Sequence, residues 1–483
     1  MSQPPPLSFR TKLFYGLGTV AFGVKDNGFS YLLLAFYNQV IGLSAPLVGL
    51  AILIAMLFDA LMDPIVGQLS DHWRSRWGRR HPFMYAAALP VAISYLALWN
   101  PPHWSHQALF FYLVGVAIVI RTFISFYEVP SSALAAELSQ GYDERTVLLS
   151  YRYFFGWVGG LAVYVIAFRF LFVPDAHHPI GQTNPAGYSR YGLLAAAIML
   201  TAILASAVGT HDRIPFLRQA QPHKITIGAM ARELLSTWNN RSFLFLTLSG
   251  LATSMAAGLA ASMNFYINTY FWGFSSPQIA GLATGVFASA FIALSLAPIA
   301  SRLLGKRPAA ITAIICAVVS GLAPMLLRLV GLMPANHSLA LFAIILIQSI
   351  ISVAFYIAGA TLTSAMIADV VEDGELRTGR RAEGVYFSAS IMVAKAVSGI
   401  GLFAASAILG FVRFPTGVRP DLVAPSVLTH LALTYAPIYL GLYAIGLTLL
   451  MGYRITRASH AETLSLLAAK AEAVTGDPSQ RLA

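Results

Sequence analysis

The sequence predicts an all-α membrane protein of about twelve transmembrane helices in two six-helix halves, both termini cytoplasmic. Three observations predict it. Of the 483 residues, 57% are hydrophobic and 11% charged, with a mean hydropathy of +0.69; soluble proteins carry about 25% charged residues. Apolar runs of about twenty residues, each long enough to cross a bilayer, recur along the whole chain. Basic residues collect in alternate loops. A soluble protein with a large apolar core is excluded by that recurrence.

Taken in order, residues 1–12 (MSQPPPLSFRTK) form a polar cytoplasmic segment without the short apolar core of a signal peptide. The first half, 13–209, has spans at 13–40, 45–70, 82–99, 107–134, 150–173 and 191–209. A polar cytoplasmic loop follows at 210–241. The second half, 242–453, has spans at 242–272, 277–302, 308–332, 336–366, 384–412 and 424–453, before a cytoplasmic tail at 454–483. Breaks such as GLSAP and GFSSP carry the residues of tight turns. "RWGRRHP" after span two echoes "LLGKRPA" after span eight, each a glycine, a basic pair and a proline opening the next helix. The single cysteine, Cys316, lies in an apolar run and reads as packing.

About 22 Lys and Arg fall in one set of loops and the termini, against 5 in the opposite loops, which by the positive-inside rule puts both termini in the cytoplasm. The net charge of +11 is therefore topological and calls for no nucleic acid.

Eight charged residues remain within or at the mouths of spans: Lys25, Asp26, Asp59, Asp63, Arg121, Glu128, Arg152 and Lys395. A charge at a helix centre costs about 2.5–3.5 kcal/mol on insertion scales, so each must pair, line water or bind something. Asp59 and Asp63, four apart, share one helix face. Two such carboxylates at low dielectric either hold a proton or chelate a small cation; the alternative is a helix–helix salt bridge to Arg121 or Lys395. Pro64 frees a backbone carbonyl one turn back. Lys25 and Asp26, on adjacent helix positions, are not expected to pair directly. Asp26 and Glu128 are acceptors for the hydroxyls of a polar ligand, with Arg121 a candidate to neutralise Glu128. Arg152 reads either as a ligand-side residue or as a boundary arginine reaching for water. Tyr31, Trp157, Tyr356 and Tyr386 are candidates to stack on a sugar ring. No His/Glu metal cluster or Ser/His pairing appears within the spans, so neither an enzyme nor a cofactor is expected.

With these residues assembled, the chain resembles the glycoside–pentoside–hexuronide:cation symporters, the melibiose-permease-like branch of the major facilitators. The carriers are GTVAFGVKDNGFSYLLLAFY, FDALMDPIVGQLSDHWRSRWGRRHPF, FYEVPSSALAAELSQGYDERTVLLSYRYFFG and ADVVEDGELRTGRRAEGVYFSASIMVAKAVSG. The resemblance implies symport of a sugar (glycoside, oligosaccharide or uronide) with a cation, by alternating access of the halves, in a cytoplasmic-type membrane, one chain sufficing. It implies that Lys25, Asp26, Glu128 and Arg152 serve the sugar, with Trp157 beside them. Asp59, Asp63, Ser125 and Lys395 would serve the cation, Asp59 and Asp63 acting as metal ligands only if that cation is Na⁺. Met62 stands where sodium-using members carry Asn, and sodium prefers hard oxygen ligands, so H⁺ is favoured. Glu128 stands where the melibiose type has Asp and reaches one carbon further.

The loop after span two reads as a gate. Gly67 would permit close helix approach and Asp71 would cap span two. Arg76, Arg79 and Arg80 would clamp cytoplasmic helix ends in the outward-open state and release them on rocking inward. Other readings are a carrier of amphipathic lipid on the same fold, or a membrane sensor without transport.

Overall fold

The computed structural model describes residues 7–139, 142–217, 241–378, 383–456, 459–463 and 465–466. These residues form twelve long helices, ten of them long and apolar enough to cross a membrane. In the first half they are α1 (9–40), α2 (Ala45–His72), α3 (His81–Leu98), α4 (His106–Leu138), α5 (Tyr142–Ile166) and α6 (Pro185–Gly209). In the second they are α7 (Arg241–Tyr266), α8 (Ser276–Leu304), α9 (Lys306–Leu329), α10 (Leu339–Thr378), α11 (Glu383–Phe411) and α12 (Pro425–Leu450). Most of the central loop and of the tail lies outside the described residues.

Apolar content predicts the spans better than their ends. α5 begins eight residues before the expected 150 and α10 runs twelve past the expected 366. Both extensions carry several charged residues (YDERTVLL and IADVVEDGELRT). Hydropathy marks where a helix leaves the bilayer, whereas backbone hydrogen bonding carries it on into water.

The helices pack in a repeated pattern. α1 lies against α5 and α6, α2 against α4, and α3 against α4 and α6; α7–α12 reproduce each of these pairs six helices later. Between the halves, α2 meets α11, α5 meets α8, and a π turn of α1 (Gly28–Leu32) meets α7. The loop echo has a shared backbone cause. Gly78 and Gly305 adopt φ of +72° and +83°, a left-handed turn that glycine enters without steric penalty, and each turns the chain into the next helix.

One close approach positions the central site. A Cβ on Gly23 of α1 would stand 1.9 Å from the carbonyl oxygen of Gly156 on α5. Glycine at 23 thus lets the two backbones touch, bringing Asp26 and Arg152 to one wall.

Candidate functional site

A cavity of about 720 Å³ lies between the halves, and its wall in the first half carries Asp26, Glu128, Arg152 and Trp157. Asp26 presents a carboxyl whose side chain is 60% exposed. Lys25 is buried behind that wall, its Nζ 4.2 Å from the centre of the Phe22 ring and 3.7 Å from Asp26 Oδ1. The expectation that neighbouring Lys25 and Asp26 do not pair is corrected. Their Cβ atoms diverge, but the four-carbon lysine stem curls back far enough to cover the angle.

Arg152 Nη2 lies 3.5 Å from Glu128 Oε1, and Nη1 donates to Ser131 Oγ at 2.8 Å. Its guanidinium also stands over the Tyr15 ring at 5.9 Å. Arg152 is therefore buried among partners rather than extended to the membrane boundary. Glu128 Oε2 is buried and accepts no hydrogen bond from the described residues.

The second half supplies a wall that sequence reasoning largely missed. Tyr356 and Tyr31 line the cavity as expected, whereas Tyr386 lies outside the residues whose side chains are described. Not foreseen were Asn264 on α7, Asn268 in the π turn Ile267–Phe271 that follows it, Gln348 on α10, and Tyr435, Tyr439 and Tyr443 on α12. Their signal was present: tyrosines four apart share one helix face, and amides inside apolar spans need partners. Among the described residues, the second-half wall carries no ionisable Asp, Glu, Lys or Arg.

Asp59, Asp63 and Ser125 do not line this cavity; they form a separate cluster between α2 and α4. Arg121 Nη1 donates to Asp59 Oδ2 at 2.8 Å, both side chains being buried, and the guanidinium stands 4.8 Å from the Phe29 ring centre. Arg121 thus neutralises Asp59 and not Glu128, because α4 packs on α2 and turns its Arg121 face there. Ser125 Oγ lies 3.1 Å from Asp59 Oδ1 and 2.6 Å from Asp63 Oδ1. The side chain of Lys395 lies outside the described residues. As a sodium cradle this donor set fits poorly, with one Asp59 oxygen held by a guanidinium.

The basic loop after α2 makes a clasp inside the first half. Arg79 Nη2 and Arg80 Nε lie 2.8 Å and 3.0 Å from Glu137 Oε1 on α4, and Arg80 Nη2 lies 2.5 Å from Asp71 Oδ1. Asp71 therefore holds Arg80 beside the end of α2. Arg76 stacks on Trp77 at 5.4 Å. A Cβ on Gly67 would meet Val129 Cγ1 at an ordinary 3.6 Å, so close helix approach does not require that glycine. The second half repeats the clasp: Lys306 Nζ lies 2.5 Å from Asp369 Oδ1 on α10, and Arg307 Nη1 donates to the Tyr453 carbonyl at 2.8 Å. Asp369, Glu372 and His460 bring three ligand atoms within 4.8 Å of one another, but Lys306 already neutralises Asp369.

The outer end is closed by bonds between halves. Tyr266 and Tyr270 hydroxyls donate to Asn38 Oδ1 and Gln39 Oε1, each at 2.9 Å. Gln182 Nε2 donates to the Phe274 carbonyl at 2.8 Å, and Ser276 Oγ donates to Gln182 Oε1 at 2.6 Å. Among the described residues, the hydrogen bonds that join the halves lie in the outer half of the molecule, and the cytoplasmic clasps stay within one half each. The molecule is sealed outside with both clasps intact. Within the first half the clasp joins α2, its loop and α4.

Comparison with known proteins agrees with this architecture. A family model described as MFS/sugar transport protein matches residues 14–457. The chain is 27% identical to the "Putative glycoside/cation symporter YagG" of Escherichia coli (strain K12), over 98% of this chain and 97% of that one. It is 26% identical to the "Isoprimeverose transporter" of Lactiplantibacillus pentosus, covering 80% and 77% of the two chains. Among solved structures, that of a D-xylose–proton symporter superposes with a TM-score of 0.60 at 15% identity, over 93% of this chain and 98% of the other.

Proposed function

The chain belongs to the MFS/sugar transport protein family, and on that premise we propose that it is a multi-pass membrane symporter which carries a glycoside or related sugar together with a proton. Its work is transport, with no bond broken in the cargo.

The observation that carries this reading is the cavity wall of Asp26, Glu128 and Arg152. Sugar hydroxyls donate to the carboxylates of Asp26 and Glu128, and charge-assisted bonds of this kind are the strong ones. Arg152 is engaged by Glu128 and Ser131, so it acts chiefly by holding Glu128 in place. The preference for H⁺ rests on the second cluster and on Met62. Asp59 and Asp63 converge on one serine hydroxyl, 3.1 Å and 2.6 Å away, and two carboxylates held so close at low dielectric favour a shared proton. Met62 stands where a hard oxygen ligand would suit sodium. The cycle then runs by protonation of the Asp59–Asp63 pair, sugar binding at the interface, and rocking of the halves. In this reading Lys395 on α11 is the restraint released on loading.

The test uses right-side-out vesicles in weakly buffered, sodium-free medium, with external pH followed as glycosides and uronides are added singly. Alkalinisation with one compound, absent in Asp63→Asn, supports proton–sugar symport. Uptake that appears only with added sodium overturns the choice of cation. Silence under both conditions, with an inserted and folded protein, overturns the sugar reading.

A further inference from the structure

The two walls of the cavity differ in chemistry, and the proposed sugar site uses only one of them. All the ionisable acids and bases that the described residues place on the wall come from α1, α4 and α5: Asp26, Glu128 and Arg152. Opposite them stands a ladder on one face of α12. Tyr435 and Tyr439 have ring centres 5.5 Å apart at 32°, and Tyr439 and Tyr443 have centres 4.9 Å apart at 64°. Tyr356 of α10 joins the same wall and remains 41% exposed.

Three side chains of that wall are engaged with the protein itself. Ser352 Oγ donates to the Ala317 carbonyl at 2.8 Å, Ser349 Oγ donates to the Ile345 carbonyl at 2.8 Å, and Asn268 Nδ2 donates to Asn264 Oδ1 at 3.0 Å. A flat apolar ring gains edge or offset contacts with the tyrosine rings. The cavity volume of about 720 Å³ lies within the span of small-molecule sites, roughly 300–1,000 Å³, leaving room beyond a single sugar ring.

We propose that Tyr356, Tyr435, Tyr439 and Tyr443 form an aglycone subsite, and that the preferred cargo is an aryl glycoside, its sugar on the acidic wall and its aromatic ring on the tyrosine wall. This rests on the sugar reading above and assigns the opposite end of the same cavity.

Purified full-length protein is titrated, with intrinsic tryptophan fluorescence as readout, using methyl and phenyl β-glycosides of xylose, glucose, galactose and glucuronic acid, and using lactose. For whichever sugar binds, the phenyl glycoside is expected to bind about tenfold tighter than the methyl glycoside. That ratio falls towards one in Tyr439→Ala and is kept in Tyr439→Phe, which retains the ring and serves as the folding control. Equal affinity for phenyl and methyl glycosides overturns the subsite and leaves the sugar reading standing. So does a preference for lactose over the phenyl glycosides. A ratio unchanged in both Tyr439→Ala and a Tyr356→Ala, Tyr443→Ala double variant assigns the preference elsewhere and overturns it too. Failure of every glycoside to bind overturns the subsite together with the reading beneath it.

Discussion

Arg121 Nη1 stands 2.8 Å from Asp59 Oδ2, inside the first half and away from the sugar cavity. This pair gives Asp59 a fixed counter-charge, and Ser125 Oγ, 3.1 Å from Asp59 Oδ1 and 2.6 Å from Asp63 Oδ1, joins the two aspartates of α2.

Removing one member of a buried ion pair leaves the other uncompensated and costs about 3–5 kcal/mol. Arg121→Gln is expected to lower the Tm in detergent sharply, and an added Asp59→Asn to recover most of the loss. Equal destabilisation by the single and double variants would show that the pair is not the cause.

Met62 is one reason to expect indifference to sodium. Met62→Asn replaces a thioether with an amide oxygen beside Asp63. Sodium-stimulated uptake is expected to appear in this variant, while wild-type uptake is unchanged by sodium at fixed pH. Stimulation already present in the wild type would refute the assignment.

Glu128 Oε2 is a buried acceptor without a partner among the described residues. Glu128→Gln replaces a charge-assisted bond, worth about 1.5–3 kcal/mol, and should weaken sugar binding by roughly 10- to 100-fold. Titration of the sugar identified by the vesicle experiment reads this directly.

Gly23→Ala puts a methyl group 1.9 Å from the Gly156 carbonyl oxygen. Overpacking costs about 1–3 kcal/mol, and here it also parts the helices carrying Asp26 and Arg152. A lower Tm together with weaker sugar binding is expected; Gly67→Ala, whose Cβ meets only an ordinary contact, should leave the Tm within error.

Glu144, at the cytoplasmic start of α5, is pushed up by partial burial. The Ser139 hydroxyl, the Leu7 N–H and Lys12 outweigh this and hold its carboxyl below the ordinary glutamate range. A depressed folded-state pKa stabilises above the unfolded value and is lost as pH falls through the folded one. Glu144→Gln should therefore lower the Tm near neutral pH and lose its effect in acid. An effect of equal size at both pH values would assign it to something other than this carboxylate.

Much of the candidate site was legible before any fold was known. Asp26, Glu128 and Arg152 stood out because charge inside an apolar run demands a reason, and they meet on one wall. Glu137 and Asp369 did not stand out, since acids near helix ends are ordinary; their meaning lies in the arginines and lysine that turn back to hold them. The tyrosines of α12 were hidden for a different reason. In a chain rich in aromatics, a face shows nothing about what it faces until a partner helix is placed opposite.

The sequence by itself determined the membrane class, the helical spans and the charged residues that function must explain. Hydrophobic run length, loop charge and desolvation are local properties, readable one segment at a time. Only the tertiary structure decided that Arg121 belongs to Asp59, that Arg152 belongs to Glu128, that Lys25 folds back on Asp26, and that the halves close at the outer end. An ion pair forms across a few ångströms, and those are set by which helix faces pack together and how far a flexible side chain reaches.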